Sequence, residues 1–400
     1  MSVSSEAPEL QAPSKRIAPN WIPAALAISI LVAVTAASPF IIRDIDWDWL
    51  NVFPCAIALY LCVQAIRMPW PSWFRVALFS VAGFLAVETA LRVPGYHRTL
   101  YYERVGDLLF TPVPNQTIIE KLSLTRSASD ENGLRVQPPV TKPDGRKKIL
   151  CLGDSITYGI GLPDSETYPA LLQKTIEERY PGRFLVLNAG VNAYPVSFEH
   201  QRFLYLWNRG VRPDLVIIGF SMNEGWLGHL VTSDASTKDE FESRVKLKNL
   251  ARSFATYNYL MEKLATYMYN RLRLKLVPGT HNMAMTANEL DERYEQALQR
   301  LSDDVEARVG KPVLVDFCSL NYNTKRYDTK GDLQQRFAAF ATSHQLRYVR
   351  TDEALGAGLP ANAAIDSYFF DPGHMNVTGT RRLAPRVADF LKPELDRLAR

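Results

Sequence analysis

The uneven distribution of apolar residues is the feature that most constrains the fold of this chain. Residues 17–42, between Arg16 and Arg43, contain no charged side chain. This run of 26 residues exceeds the roughly 20 that a helix needs to cross the hydrocarbon core of a bilayer. After the first hundred positions the sequence has the mixed composition of a soluble protein. The chain is therefore predicted to join a membrane region to a soluble domain.

Two further apolar segments follow the first. Residues 49–66 form a run of 18 uncharged residues, near the lower limit for a membrane span. Residues 73–93 form a third segment, which three charged residues interrupt: Arg75, Glu88 and Arg92. Glu88 lies near one end, where a carboxylate could reach the membrane interface or face a neighbouring helix. We predict a polar tail at 1–16 and a multi-pass transmembrane region of about three helices at 17–93.

A cleaved signal peptide is the alternative interpretation of the first segment, with a tolerable cleavage site at Ala37-Ser38. The apolar run is longer than the roughly 7–15 residues of the apolar core of a typical signal peptide. More apolar segments also follow it. An uncleaved membrane anchor is therefore favoured.

The charges beside the apolar segments predict the orientation of the chain. Basic residues precede the first segment and separate the second from the third, whereas the intervening loop is acidic: Lys15, Arg16, Arg67 and Arg75 against Asp44, Asp46 and Asp48. Because cytoplasmic loops carry an excess of Lys and Arg, three crossings would place the C-terminal domain outside the cytoplasm, on the periplasmic or outer face. With two crossings the domain would be cytoplasmic, and the sequence leaves both numbers open.

The rest of the chain is predicted to be a connector at 94–145 and a soluble domain at 146–400. Short apolar runs recur in the domain, at 148–152, 184–187, 214–220, 312–317 and 346–349. Helical patterns lie between and after them, at 168–180, 196–209, 286–309, 331–344 and 378–397. This alternation predicts an α/β fold with a parallel sheet that helices cover on both faces. In such sheets the reactive groups gather at the carboxyl ends of the strands.

A helical insertion of about 226–285 follows the third predicted strand. From Arg244 to Lys275 it contains eight basic residues, with Glu262 as its one acidic residue. A solvated helix face beside the active site is the favoured interpretation. The alternative is a basic face that rests on anionic lipid headgroups.

Four short polar blocks stand where the strands end and before the last helix. They are Gly153-Asp154-Ser155, Asn188-Ala189-Gly190, Ser221-Met222-Asn223-Glu224 and Asp371-Pro372-Gly373-His374. The first block alone is an ordinary turn sequence. The ordered series, however, resembles the SGNH hydrolases, also called the GDSL esterase and lipase family, over residues 147–395. The resemblance implies a three-layer α/β/α, flavodoxin-like fold for the domain. The apolar segments ahead of the domain are similar to the anchor of the membrane-anchored bacterial type of this family.

The resemblance also implies a role for each block. Ser155 would be the nucleophile, His374 its general base, and Asp371 the carboxylate that orients the imidazole. The backbone N–H groups of Ser155 and Gly190 and the side-chain amide of Asn223 would form the oxyanion hole. These roles agree with the chemistry, because a serine hydroxyl is a weak nucleophile at neutral pH unless a base lies beside it.

The third block departs from the family pattern. The family usually has Gly-x-Asn-Asp there, and this chain has Ser221 and Glu224 at the first and last positions. Asn223 is kept, so the oxyanion hole is expected to survive. The two substitutions could change the shape of the loop and the choice of substrate.

Other classes of site find no support in the sequence. The net charge of +4 is too small to imply a nucleic-acid partner. Without zinc-type Cys/His spacing or a Gly-rich phosphate loop, no metal and no cofactor are predicted. The four cysteines are interpreted as small buried hydrophobic residues. None of the other five histidines has the Asp partner and block context of His374, and all are predicted to be structural: His97, His200, His229, His281 and His344.

Three functions from different classes fit this chain. The first is an esterase that removes a small acyl group, most simply acetyl, from an envelope glycan or lipid through an acyl-enzyme. The second is an O-acyltransferase that uses the same triad to acylate a polysaccharide, with a partner protein that supplies acyl groups. The third is a non-catalytic binding protein on the same fold. The esterase is favoured, and no sequence feature separates it from the transferase.

Overall fold

The computed structural model describes residues 48–92, 95–105, 108–120, 125–136, 145–221, 235–267, 287–317, 319–321, 326–328, 331–356, 365–370 and 373–400. The first apolar segment, 17–42, lies outside the described residues. So do five residues of the polar blocks: Met222, Asn223, Glu224, Asp371 and Pro372.

Two apolar helices open the described chain, α1 (Asp48–Arg67) and α2 (Ser72–Arg92). They pack on each other through small and branched side chains: Ala58, Leu61, Leu78, Ala82 and Leu85. Their outer surfaces expose large apolar side chains, among them Leu59, Trp73, Val76 and Phe79. Within the described residues, α2 is the helix that is long and apolar enough to cross a membrane.

The predicted connector contains two antiparallel strand pairs. Strand β1 (Tyr102–Val105) pairs with β2 (Leu108–Pro112), and β3 (Thr117–Glu120) pairs with β4 (Thr125–Ala128). The β1–β2 pair packs on the later domain through a cluster of aromatic and branched side chains: Tyr102, Leu108, Phe110, Val191, Tyr194 and Phe198. Each strand has only four or five residues, which is too short for a detectable alternation of apolar and polar residues.

The domain is built on a five-stranded parallel sheet with the order β11–β8–β7–β5–β6. Its strands are β5 (Lys147–Gly153), β6 (Phe184–Asn188), β7 (Leu215–Phe220), β8 (Val313–Asp316) and β11 (Arg347–Arg350), and β9 (Ser319–Asn321) and β10 (Arg326–Asp328) form a small separate pair. All five predicted strands and their parallel pairing are confirmed. Every residue of β7 is buried, as expected for a strand that is covered on both faces.

Helices cover both faces of the sheet and complete three layers. In chain order the helices are α3 (Ser155–Tyr158), α4 (Tyr168–Arg179), α5 (Val196–Asn208), α6 (Ala235–Arg252), α7 (Ala255–Tyr267), α8 (Ala287–Arg308), α9 (Gly331–Ser343), α10 (Thr351–Gly356), α11 (Val377–Phe390) and α12 (Lys392–Leu398). One apolar core lies under α4, α10, α11 and α12, and the other lies under α5, α8 and α9. The helix predicted at 378–397 is two helices that meet at Leu391. Pro393, two residues later, lies in the first turn of the second helix.

Candidate active site

Ser155 lies at the carboxyl end of β5, in a turn whose shape its neighbours fix. Asp154 caps the short helix α3, because its Oδ1 accepts a hydrogen bond from the Ile156 N–H at 2.9 Å. Gly153 is needed where the strand ends, since a Cβ there would lie 2.5 Å from the Gly219 carbonyl oxygen. The serine is thereby held at the edge of the sheet where parallel strands place reactive groups.

His374 lies on the loop that precedes α11. The Phe370 N–H donates to the His374 carbonyl oxygen at 3.1 Å, and the Asn376 N–H donates to the Tyr368 carbonyl oxygen at 2.9 Å. The Asn376 side chain caps α11 by accepting the Gly379 N–H at 3.1 Å. The Phe370 ring lies parallel to the imidazole, with 5.7 Å between the centroids. Short backbone contacts therefore fix the position of the imidazole.

The fold brings Ser155 and His374 together. His374 Nε2 lies 2.8 Å from Ser155 Oγ, although the two residues are 219 positions apart. When Nε2 carries no proton, the serine hydroxyl can donate its proton to the ring, which is the geometry that general base catalysis needs. Of the other predicted site residues, Gly190 lies in the described part of the chain, whereas Asp371 and Asn223 do not.

Gly190 follows β6 and packs against the turn after Ser155. A Cβ at Gly190 would lie 2.2 Å from the Tyr158 nitrogen and 2.6 Å from the Thr157 carbonyl carbon, so a side chain cannot be accommodated. The Gly190 N–H donates to Asn188 Oδ1 at 3.0 Å. The structure thus gives a packing reason for this glycine. Donation of the Gly190 N–H to an oxyanion stays a prediction.

Ser221 joins the third block to the first. Its hydroxyl donates to Asp154 Oδ2, and its carbonyl oxygen accepts the Tyr294 hydroxyl of α8 at 3.0 Å. The Asp154 carboxylate is fully buried and accepts hydrogen bonds both from α3 and from Ser221. The departure from the family pattern therefore adds a contact that glycine cannot make, and the sequence did not indicate this partner.

Residues 151–382 match the sequence model of the GDSL-like Lipase/Acylhydrolase family. This segment is more than half of the chain and contains Ser155, Gly190 and His374. The chain belongs to the GDSL-like lipase/acylhydrolase family. It is therefore a hydrolase that acts on esters. The resemblance drawn from the four polar blocks is confirmed, and so is the three-layer fold that it implied.

Solved structures similar to this hydrolase include a lipolytic protein of the G-D-S-L family from Desulfitobacterium hafniense DCB-2. It is 14% identical, with a TM-score of 0.37, over 62% of this chain and 100% of its own. TesA is 19% identical, with a TM-score of 0.38, over 62% of this chain and 99% of its own. A two-domain esterase active on acetylated mannans is 19% identical, with a TM-score of 0.37, over 62% of this chain and 50% of its own. No curated protein sequence matches the chain.

Arg135 clamps the turn that follows Ser155 in this GDSL-family hydrolase. Its guanidinium donates to the carbonyl oxygens of Tyr158, Gly159 and Leu162 at 2.8, 2.7 and 2.6 Å. It also donates to Asp164 Oδ1 at 2.7 Å, and it lies over the Tyr158 ring at 4.7 Å. The side chain is buried. One planar cation thus satisfies four acceptors of a single turn, which Lys could not do with the same geometry.

The main chain of Arg135 also reaches the second polar block. Its N–H donates to the Asn188 carbonyl oxygen at 3.1 Å. Arg135 therefore links the turn after Ser155 to the end of β6. Sequence reasoning missed this residue, because it lies in the connector and an isolated arginine there carries no local signal.

Cys151 lies on β5, four residues before Ser155, and is a candidate to exclude as a nucleophile. It is fully buried and unpaired. Burial raises the pKa of its thiol to about 12, so the thiol stays protonated at neutral pH and is unreactive. This confirms its predicted role as a small buried hydrophobic residue.

His200 has a carboxylate partner that the sequence did not indicate. It was predicted to be structural, and its Nε2 lies 2.5 Å from Asp304 Oδ2 and joins α5 to α8. The partner is 104 positions away, and no local pattern marks such a contact. The pair connects two helices of one layer, which is a structural role.

Proposed function

We propose that this hydrolase is a membrane-tethered serine esterase in which Ser155 is the nucleophile and His374 the general base. The observation that carries the proposal is the 2.8 Å distance between Ser155 Oγ and His374 Nε2. An imidazole at hydrogen-bond distance is the usual means of activating a serine hydroxyl. Both residues also lie inside the segment that matches the family.

In the proposed reaction, Ser155 Oγ attacks the carbonyl carbon of the ester while His374 takes the serine proton. The bond between the carbonyl carbon and the alcohol oxygen then breaks, and His374 returns the proton to the departing alcohol. The acyl group remains on Ser155. Water, which gives a proton to His374, attacks this acyl-enzyme. The bond between the acyl carbon and Ser155 Oγ breaks, the carboxylic acid leaves, and His374 returns the proton to Ser155 Oγ.

Asp371 and the oxyanion donors complete the proposed site. Asp371 precedes His374 by three residues and would hold the imidazole in the useful tautomer and stabilise its protonated form. The N–H groups of Ser155 and Gly190 and the amide of Asn223 would donate to the oxyanion, each worth about 3–4 kcal/mol in the transition state. The Gly190 N–H, which now donates to a neighbouring side chain, would be shared with the substrate.

Membrane tethering is the second part of the proposal. Its support is α2, which is long and apolar enough to cross a bilayer and exposes Val76, Phe79, Phe84 and Val87. We propose a multi-pass region at 17–93 and a catalytic domain at 146–400 outside the cytoplasm. Alkaline phosphatase fused after Arg400 is then expected to be active in intact cells. An inactive fusion, beside a fluorescent cytoplasmic fusion at the same site, would contradict this orientation.

The proposed substrate is a small acyl ester, acetyl first, on a hydroxyl group of an envelope glycan or lipid. Its support is the proposed location. A domain tethered on the outer side of a membrane is held near hydroxyl-rich glycans and lipids, so their esters reach Ser155 at high local concentration.

The proposal is tested with the full chain in detergent and p-nitrophenyl acetate as the ester. Wild type is expected to release p-nitrophenol catalytically, and Ser155→Ala is expected to release it no faster than buffer. Ser343→Ala, which removes a hydroxyl from the exposed end of α9, is the matched control and should keep wild-type activity. Full activity of folded Ser155→Ala would remove Ser155 from the mechanism. No turnover by folded wild type would shift weight to an acyltransferase without its acceptor or to a binding role.

A further inference from the structure

A buried charged network joins the last turns of α2 to the pair of helices α6 and α7, residues 235–267, which is called the α6–α7 hairpin. One Glu88 oxygen accepts Arg92 Nε at 2.9 Å and the Ala255 N–H at 2.8 Å. The other accepts the Thr256 N–H at 2.9 Å and its hydroxyl at 2.8 Å. Arg92 donates in turn to the Ser253 carbonyl oxygen at 2.8 Å. A carboxylate is favourable at the start of a helix such as α7, so this network fixes α7 on the end of α2.

The same hairpin is bound to the connector, whose β1–β2 pair packs on the catalytic domain. Arg104, on β1, donates to Asp239 at 3.0 Å and to Glu242 at 2.8 Å on α6. Arg252 at the end of α6 donates to the Leu100 carbonyl oxygen at 2.8 Å. The α6–α7 hairpin therefore connects the apolar helix α2 to the domain through contacts on both sides.

The outer face of the hairpin is apolar. Five large side chains on it are between 38 and 67% exposed: Leu247, Leu250, Leu260, Met261 and Leu264. Leu260 and Leu264 are four residues apart and share one face of α7, while Ala255 and Asn258 are buried on the other side. A helix pair in water normally turns such a stripe inward. Large apolar side chains that are exposed together on a helix face are typical of an interaction surface.

This apolar face continues onto α2. Phe84 and Val87 are exposed on the same turns that carry Glu88. The Phe84 ring lies 6.3 Å from the ring of Phe254, which stands at the turn between α6 and α7. The exposed apolar side chains of α2 and those of the hairpin therefore approach each other at Phe84 and Phe254.

The charge of the hairpin fits an anionic lipid surface. Residues 235–267 carry six basic and four acidic side chains, a net charge of +2: Lys238, Arg244, Lys246, Lys248, Arg252 and Lys263 against Asp239, Glu240, Glu242 and Glu262. Lys246 and Lys248 flank the exposed Leu247. Apolar side chains bordered by Lys and Arg are typical of helices that lie in the headgroup region of a bilayer.

We propose that the exposed apolar face of the α6–α7 hairpin lies in the headgroup–acyl boundary of an anionic phospholipid bilayer, beside the point where α2 leaves it. This inference rests on the proposed membrane tether. It replaces the interpretation of the hairpin as a solvated face, and it gives the catalytic domain a fixed height and orientation at the membrane. Esters that are themselves attached to the membrane then lie within reach of the domain.

The test uses the full chain in nanodiscs of phosphatidylethanolamine and phosphatidylglycerol, with the photo-reactive residue p-benzoylphenylalanine at single positions. Leu260 and Leu264 report on the hairpin, Phe79 reports on the tether, and Lys392 on α12 is the exposed control. After irradiation, mass spectrometry identifies what each position has captured. Probes at Phe79, Leu260 and Leu264 are expected to gain the mass of one phospholipid, and the probe at Lys392 is not.

The other outcomes separate the two proposals. A phospholipid adduct at Phe79 without one at Leu260 or Leu264 would overturn the hairpin surface and leave the tether standing. Absence of adducts at all three positions, with release of the protein by alkaline carbonate, would overturn the tether itself. Capture by Leu260 of a second copy or of residues 1–47 would show that protein, and not lipid, covers this face, which also overturns the inference.

Discussion

The Ser155–His374 pair and the Glu88–Arg92 ion pair are both made of polar side chains held by hydrogen bonds, but the contacts that hold the two pairs in place differ. Ser155 and His374 stand on turns that residues within a few positions fix, through the Asp154 and Asn376 caps. Glu88, in contrast, pairs with Arg92 one turn along α2 and accepts hydrogen bonds from Ala255 and Thr256, 167 and 168 positions away, at the start of α7. In the first pair each residue is held by its own local turn, although the two residues meet across 219 positions. The second pair lies within one helix, and contacts with a distant segment hold it.

The two centres also differ in solvent access. His374 is partly exposed at the edge of the sheet, whereas Glu88 and Arg92 are almost completely buried. Removing one partner of a buried ion pair leaves a charge without compensation and is strongly destabilising. We therefore expect that loss of His374 lowers the activity and changes the stability little, and that loss of Glu88 lowers the stability and changes the activity little.

The largest effect on activity is expected for His374→Ala. Without the base, kcat for p-nitrophenyl acetate should fall about 10⁴–10⁶-fold, the range found when a triad residue is removed from a serine hydrolase. Thermal unfolding should change little. His200→Ala is the matched control, because His200 also contacts a carboxylate, that of Asp304. It should keep kcat within a few-fold, and equal losses in both variants would refute the assignment of the base.

A smaller loss is expected for Arg135→Ala, which leaves three carbonyl oxygens and Asp164 without their shared donor. We expect kcat to fall about tenfold or more. A tenfold loss corresponds to only about 1.4 kcal/mol of activation free energy, which a small displacement of Ser155 would cost. KM should change little, because Arg135 acts as a positioning residue through the turn after Ser155. Kinetics are measured at a temperature where circular dichroism shows the variant folded.

Arg209→Ala provides the comparison for this position. Arg209 holds the connector through Asn132 at 3.0 Å and the Glu131 carbonyl oxygen at 3.1 Å, and the connector in turn carries Arg135. Its removal should leave kcat near the wild-type value. Arg135→Lys should recover part of the activity, since an ammonium group can serve some of the four acceptors. If folded Arg135→Ala kept full kcat, Arg135 would be structural only.

The smallest effect on activity is expected for Glu88→Ala. The free energy of opening α7 should fall by about 3–5 kcal/mol, because Arg92 is left buried without its partner. Hydrogen exchange at the Ala255 and Thr256 amides measures this opening. Glu240→Ala on α6 removes an exposed pair with Arg244 and should change exchange little. The idea that the two centres are independent fails if Glu88→Ala lowers kcat as much as Arg135→Ala does.

The parts of the fold that follow from local pattern were predictable. Five apolar runs between helical patterns predicted the sheet, and the run at 214–220 was the clearest because β7 is buried on both faces. Ser155 and His374 were predicted as site residues because their blocks stand at strand and helix ends and resemble a known family, and the fold brings the two side chains together. The break between α11 and α12 at Leu391 was missed, since Pro393 is also acceptable in the first turn of a new helix.

The parts that depend on contacts between distant residues were not predictable. Glu88 was expected to reach the interface or face a neighbouring helix, and only the fold shows that this neighbour is α7. The contact of Ser221 with Asp154 and the clamp of Arg135 on the turn at Tyr158 have the same character. Each partner is selected by tertiary packing, and neither spacing nor composition marks it in the chain.

The central claim is that Ser155 carries the acyl group, and the position of a covalent adduct tests it most directly. Full-length protein is treated with a fluorophosphonate, which reacts with activated serine hydroxyls, and the modified peptide is located by mass spectrometry. The adduct is predicted on Ser155 in wild type, with slow labelling in His374→Ala and none in Ser155→Ala. An adduct on another residue, or an unmodified Ser155 in folded and ester-hydrolysing wild type, would contradict the account.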